Sequence, residues 1–160
     1  PLICKTGHAF IKQKIRETDA LLGAEMSGHI FFNDRWPGFD DGVYAGARML
    51  EIIANSEQDD PFVTVPNMLS TPEINIPASD EEKFQIVKTF IENSNFSDAK
   101  TVNIDGIRVE FEKGWGLLRP SNTSPCLVLR FEAETSDHLN KIKKIFYQGL
   151  KSIKPNINKF

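Results

Sequence analysis

The chain has 160 residues, two-fifths of them hydrophobic, and a formal net charge of -3. That is enough apolar material for a buried core in one or two small domains. The slight acidity argues against a nucleic-acid footprint, which needs a basic patch or stripe, and leaves room for a local anion site. Cys4 and Cys126 are too far apart in sequence for a zinc motif or a disulfide framework, and read as reduced thiols of a soluble, cytoplasmic protein. No apolar run has the length of a membrane span, and the first residues carry no secretory pattern. The chain opens at Pro1, without a Met and inside what reads as a strand, so a fragment is expected.

In chain order, Ala9 to Leu22 has the spacing of an amphipathic helix, with Phe10, Ile11, Ile15 and Leu22 on one side and Lys12, Lys14, Arg16 and Glu17 on the other. Gly23 suits its end. A polar loop, Ala24 to His29, then feeds the short apolar run Ile30-Phe31-Phe32, which predicts a buried strand. Asp40 and Asp41 precede a second helical pattern on Tyr44, Ala47, Leu50 and Ile53, and are expected to cap it at the favourable end of its dipole rather than to hold a metal. Helix, strand and helix predict the C-terminal part of an α/β mixed-sheet domain.

Pro61, Pro66, Pro72 and Pro77 punctuate the next stretch, and a domain boundary is expected near Met68, giving domains 1–67 and 68–160. Ser79 and Glu82 form a capping box ahead of a helix whose buried stripe is Phe84, Val87, Phe90 and Ile91. Thr101–Ile104 and Ile107–Glu112 flank Asp105-Gly106 as a hairpin, and Leu127, Leu129, Phe131 and Ala133 alternate in a third strand. A last helix carries Leu139, Ile142, Ile145, Phe146 and Leu150 and ends before Pro155, with Lys141, Lys143 and Lys144 on its solvated side. The second domain therefore reads as α+β, an antiparallel sheet with two helices on one face. Trp115 reads as a hairpin aromatic.

Two loops carry chemistry. The run Arg119-Pro120-Ser121-Asn122-Thr123-Ser124-Pro125 places a planar fork of donors beside hydroxyls and a carboxamide, which suits phosphate. The same residue types equally suit a proline-bracketed turn. Glu25, Ser27 and His29 offer a carboxylate and a hydroxyl for sugar hydroxyls and an imidazole for proton transfer, or else a turn with a surface carboxylate. One loop for an anion and one for a polyol suggest a sugar phosphate.

With these motifs in this order, Lys5-Thr6-Gly7-His8, Glu25-Met26-Ser27-Gly28-His29, Arg35-Trp36 followed by Gly38-Phe39-Asp40-Asp41-Gly42, and Arg119 with Ser121-Asn122-Thr123, the chain resembles the C-terminal portion of the α-D-phosphohexomutase superfamily. The resemblance implies a third-domain segment followed by a fourth domain of TATA-box-binding-protein-like architecture. It implies an isomerase moving phosphate between the 1- and 6-positions of mannose or glucose, with Met26 pointing to the branch that takes both. It implies catalytic roles for His29 and His8, contacts from Glu25 and Ser27 to the sugar's O3 and O4, and phosphate contacts from Arg119, Ser121, Asn122 and Thr123. The phosphoserine, the Mg²⁺ ligands and the glucose 1,6-bisphosphate activator belong, on this resemblance, to a parent enzyme. This chain is expected to bind no metal or cofactor itself, to need the N-terminal domains as partners, and to be inactive alone. The rival reading is a non-catalytic phosphosugar-binding or protein-interaction module. An upstream Ser-His-Asn-Pro motif and an Asp-Gly-Asp-Gly-Asp loop would decide against it.

Overall fold

The computed structural model describes residues 1–160, which divide into two units, Pro1–Pro66 and Asn67–Phe160. In the first, helix α1 (His8–Thr18) packs on an antiparallel hairpin of β1 (Leu22–Ala24) and β2 (Ile30–Phe32), in which Gly23 faces Phe31. The helix is shorter than its sequence pattern predicts because Asp19 turns left-handed, φ 51°, and its N–H bonds back to the Ile15 carbonyl. Leu22 is thereby drawn into β1, and of the predicted stripe only Ile11 and Ile15 are buried, while Phe10 and Leu22 face outward. With Phe31 they form a small core, flanked by Cys4 and Ala20. The strand expected at Pro1 is absent. Pro1–Lys5 are irregular, since no strand of this unit lies beside them to accept a ladder.

Gly23 fixes how close the helix can come. A Cβ there would stand 2.7 Å from Ile11 Cγ2 and 3.0 Å from Ile15 Cδ1. Beyond the hairpin, helix α2 (Gly42–Ala54) is capped by Asp41, whose side chain accepts from Tyr44 N at 3.0 Å. No α2 residue is buried, and Leu50 and Ile53 of its predicted stripe lie open. The preceding loop is held to α2 by Arg48–Asp34 at 2.9 Å and by the Trp36 ring stacked on Tyr44 at 4.2 Å.

The second unit is a six-stranded antiparallel sheet. Its strands are β3 (Leu69–Ser70), β4 (Ile74–Pro77), β5 (Lys100–Val102), β6 (Ile107–Phe111), β7 (Gly114–Pro120) and β8 (Cys126–Ala133). The order is β3-β8-β7-β6-β5, with β4 also on β8. Three strands escaped the sequence pattern. β7 contains Gly114, Trp115 and Gly116, which read as a turn, and β3 and β4 sit among prolines that only edge strands tolerate.

Helices α3 (Glu82–Asn93) and α4 (Ser136–Ile153) cover one face, with Phe90, Phe131, Phe146, Leu118, Leu129 and Leu150 fully buried. Gly116 and Gly149 admit the Phe146 and Phe90 rings, whose carbons lie 2.6 Å from where a Cβ would stand. Ser79 and Glu82 close the predicted capping box, each donating its N–H to the other's side chain at 3.2 Å. Phe84 and Ile145, predicted on the buried stripes, are exposed, because each lies at the margin of its helix's buried arc. No helix is long and apolar enough to cross a membrane.

Gly23→Ala should force α1 off the hairpin, with overpacking that costs about 1–3 kcal/mol. Urea unfolding of the variant, read by the chemical shifts of Ile11 and Ile15, checks this. An unchanged midpoint would show that the contact is slack.

Candidate functional site

The hairpin turn makes the first site. Glu25 N–H donates to His29 O at 2.9 Å and Gly28 N–H to Glu25 O at 3.0 Å, with Gly28 at φ 95° where glycine is favoured. Glu25 and His29 therefore face each other across the turn. By strand alternation they lie on the same face as Gly23 and Phe31, the face that α1 covers. His8, Ile11 and Ile15 share one side of α1, being three and seven residues apart, so the packing that buries the isoleucines carries His8 onto the same surface. The His8 ring meets Phe31 edge-on at 5.2 Å and His29 at 4.6 Å between centroids.

Glu25 is pinned by one oxygen, which accepts from Gly7 N–H at 2.7 Å, and Gly7 itself needs its φ of 126°. The other oxygen is available. His29 Nδ1 lies 2.7 Å from Asp40 Oδ2, while Ile30 N–H donates to Asp40 Oδ1 at 3.2 Å and His8 Nε2 stands 3.6 Å away. The hydrogen bond from His29, with help from Ile30 N–H, holds the Asp40 carboxyl below the usual carboxylate range. An ionised carboxylate only accepts, so His29 Nδ1 carries a proton, and in the neutral ring the lone pair is left on Nε2. Ser27 is exposed at the tip of the turn.

This corrects the sequence reading of Asp40. Only Asp41 caps α2, whereas Asp40 lies alongside β2, bridged to Phe31, and serves the histidine. One carboxylate suffices for a cap, so the second of an adjacent pair was the available signal.

The second site lies between β7 and β8. Arg119 projects from the sheet face away from the helices, at a position opposite Val128. Its guanidinium is 3.9 Å from Asp105 Oδ2, a buried atom with no hydrogen-bond partner. Ser121, 6% exposed, accepts from Thr123 N–H at 3.3 Å and Ser124 N–H at 3.1 Å, so its hydroxyl proton is left to donate outward. Those two N–H groups are spent inside the loop. The donors left for an anion are Arg119, the Ser121 hydroxyl and the exposed side chains of Asn122 and Thr123.

Sequence reasoning missed Lys83, which is 4% exposed and donates to Asp80 Oδ1 at 2.6 Å and to Ser124 O at 3.1 Å. With Ala78 N–H on Pro125 O at 3.0 Å, it stitches the start of α3 to the loop. A charged residue within a capping-box turn gives no sign of burial. One group of three candidate metal ligands, His8, Glu25 and His29, contains two imidazoles, unlike the oxygen donors that Mg²⁺ takes.

The chain belongs to the phosphoglucomutase/phosphomannomutase family. Residues 1–64 match the family's α/β/α domain III and residues 73–148 its C-terminal domain. It is 50% identical over 160 residues to a phosphomannomutase/phosphoglucomutase of Pseudomonas syringae pv. tomato, covering 99% of this chain and 34% of that protein. The Pseudomonas aeruginosa protein of the same name is 48% identical over 155 residues, 96% of this chain and 34% of the relative. A crystal structure of a phosphoglucomutase/phosphomannomutase family protein from Burkholderia thailandensis superposes with a TM-score of 0.88 at 46% identity, covering 100% of this chain and 34% of that one. The chain thus spans about a third of the length of the relatives it matches.

Asp40 carries a pH signature. Its carboxyl titrates lower folded than unfolded, so its contribution to stability is full above the unfolded pKa and is lost as pH falls through the folded one. Unfolding midpoints should therefore drop on acidification below about pH 4, and Asp40→Asn should flatten that limb. In the same variant the ¹⁵N shifts of His29 should lose their preference for the Nδ1–H form. A tautomer ratio unmoved by Asp40→Asn would refute the assignment.

Proposed function

We propose that this chain supplies the sugar-hydroxyl and phosphate contacts of a phosphohexomutase that interconverts the 1- and 6-phosphates of mannose or glucose through a bisphosphorylated sugar. The observation that carries the reading is the Asp40–His29–Glu25 arrangement: a histidine held in one tautomer by an ionised carboxylate, beside a second carboxylate with a free oxygen. The residues 1–67 and 68–160 are read as the end of domain 3 and the whole of domain 4.

Glu25, pinned at Gly7, presents its remaining oxygen to two vicinal sugar hydroxyls, with Ser27 adding its own hydroxyl at the tip of the turn. His29 Nε2 takes the proton of the attacking sugar hydroxyl, and Asp40 stabilises the imidazolium that results. His8 lies edge-on to that ring and lines the same surface. Arg119, Ser121, Asn122 and Thr123 hold the phosphate remote from the reacting end. Both groups of contacts must accept the ligand in either orientation, because the bisphosphate has to turn over between the two transfers. Phosphoryl transfer depends mainly on positioning and charge neutralisation. The phosphoserine donor, the Mg²⁺ and the activating glucose 1,6-bisphosphate are assigned to the parent enzyme, whose N-terminal domains are the partner this reading requires. The open apolar face of α2 supports that reading, since exposed surface of this kind is usually covered.

The isolated chain should show no turnover of glucose 1-phosphate with glucose 1,6-bisphosphate and Mg²⁺, and turnover by pure chain would sink the division of labour. Arg119→Ala should weaken binding of either phosphosugar isomer by about 1.5–3 kcal/mol, the loss of a charge-assisted bidentate contact. Glu25→Gln should weaken sugar-phosphate binding by the full-length enzyme while leaving inorganic phosphate binding at the Arg119 loop unchanged. Phosphate-induced NMR shifts that avoid Ser121, Asn122 and Thr123 would show that the loop is only a turn.

A further inference from the structure

We propose that His8, Glu25 and His29 form a binding site for a transition-metal cation of the zinc class, and that its occupancy blocks the site. One ligand atom from each of the three residues lies within 4.8 Å of the others. Two imidazoles and one carboxylate are a donor set that suits zinc, nickel or copper and does not suit magnesium, which takes oxygen donors.

Two of the three ligands are held as metal ligands usually are. A histidine that binds a metal usually donates its other ring N–H to a carboxylate, which fixes the ring and raises the basicity of the free nitrogen. Asp40 does this for His29, at 2.7 Å, and its other oxygen is itself anchored by Ile30 N–H. Glu25 is held by Gly7 N–H through one oxygen, leaving the second for the cation. Tetrahedral zinc with bonds of about 2.0–2.1 Å needs ligand atoms about 3.3 Å apart. The His8 ring, which no hydrogen bond holds, can turn to close the present spacing while His29 keeps its bond to Asp40, and the exposure of the two rings, 47% and 46%, gives a cation its way in. Three protein ligands leave a fourth position for water or a sugar hydroxyl.

The blocking clause rests on the function proposed above. A cation on His29 Nε2 takes the lone pair that would accept the substrate proton, and one on Glu25 takes the oxygen that would hold the hydroxyls. No bond is made or broken beyond coordination, and a protonated histidine ligand releases its proton to solvent on binding.

Isothermal titration of the purified chain with ZnCl₂, and absorbance titration with Co²⁺, test the site directly. We expect saturable one-to-one binding that a large excess of Mg²⁺ does not displace. His8→Ala and His29→Ala should each abolish it, Asp40→Asn should weaken it about 10–100-fold, and Cys4→Ser should leave it unchanged. Absence of saturable binding in a chain whose amide spectrum shows it folded would overturn the site, as would binding indifferent to both histidine substitutions. The second arm uses the full-length enzyme at saturating Mg²⁺, where zinc should inhibit and a chelator should restore turnover. Zinc binding without inhibition would overturn the blocking clause and count against His29 as proton acceptor, whereas absence of binding leaves that reading intact.

Discussion

The approach of α1 to the hairpin at Gly23 is the constraint on which the first site depends. Ile11 and Ile15 fill the space a side chain at position 23 would occupy, which brings the whole face of the helix down on β1 and β2. His8 belongs to that face, one turn nearer the N-terminus, and Glu25 and His29 belong to the facing surface, one step nearer the turn. The same packing that buries three apolar side chains therefore assembles two imidazoles and a carboxylate at its edge. Glu25 closes the arrangement by accepting the N–H of Gly7, at the helix N-terminus where donors lack intrahelical partners. Positioning here is inherited from the core, and a small core of Ile11, Ile15 and Phe31 makes the site sensitive to a single methyl group.

The second unit uses the same device at another place. Gly106 turns with φ 96° against the end of β7, where a Cβ would stand 2.2 Å from Leu118 O and 2.6 Å from Arg119 Cα. That contact brings Asp105 beside Arg119. Lys83 works from the other side, its buried ammonium bonded to the carbonyl of Ser124, so the loop is held at both ends by residues outside it. A buried lysine is tolerated because Asp80, itself largely exposed, supplies the compensating charge.

Much of this was legible in the sequence, for identifiable reasons. The helices showed because amphipathic spacing survives wherever a helix lies on a core, and the capping box at Ser79 and Glu82 is local chemistry. The candidate residues Glu25, His29 and Arg119 showed because polar clusters in loops stand out against apolar runs. What stayed hidden depends on partners distant in sequence. Asp40 is eleven residues from His29, and Lys83 is forty-one from Ser124, so neither pairing leaves a local trace. β7 was concealed by its glycines, of which Gly116 makes room for Phe146 of α4 and Gly114 lies against Glu132 and Ala133 of β8, all residues of other elements. Asp19 ended α1 early by a left-handed turn that no periodicity encodes.

Asp105 and Asp40 are both carboxylates beside cationic or protonatable side chains, but they are satisfied differently, and the difference bears on how each site would release what it holds. Asp40 accepts two hydrogen bonds and is settled, so it orients His29 without competing for the ligand. Asp105 has a buried oxygen that accepts no hydrogen bond and lies 3.9 Å from the Arg119 guanidinium, close enough for attraction and too far for a hydrogen bond. An arginine so placed keeps its donors free for an anion while a neighbouring negative charge opposes the anion's arrival. On the proposed function that opposition is useful: a bisphosphate that must let go and turn around between two transfers needs a clamp that is specific in geometry and moderate in strength. On that reading Arg119 would supply the geometry through its planar fork, and Asp105 the moderation.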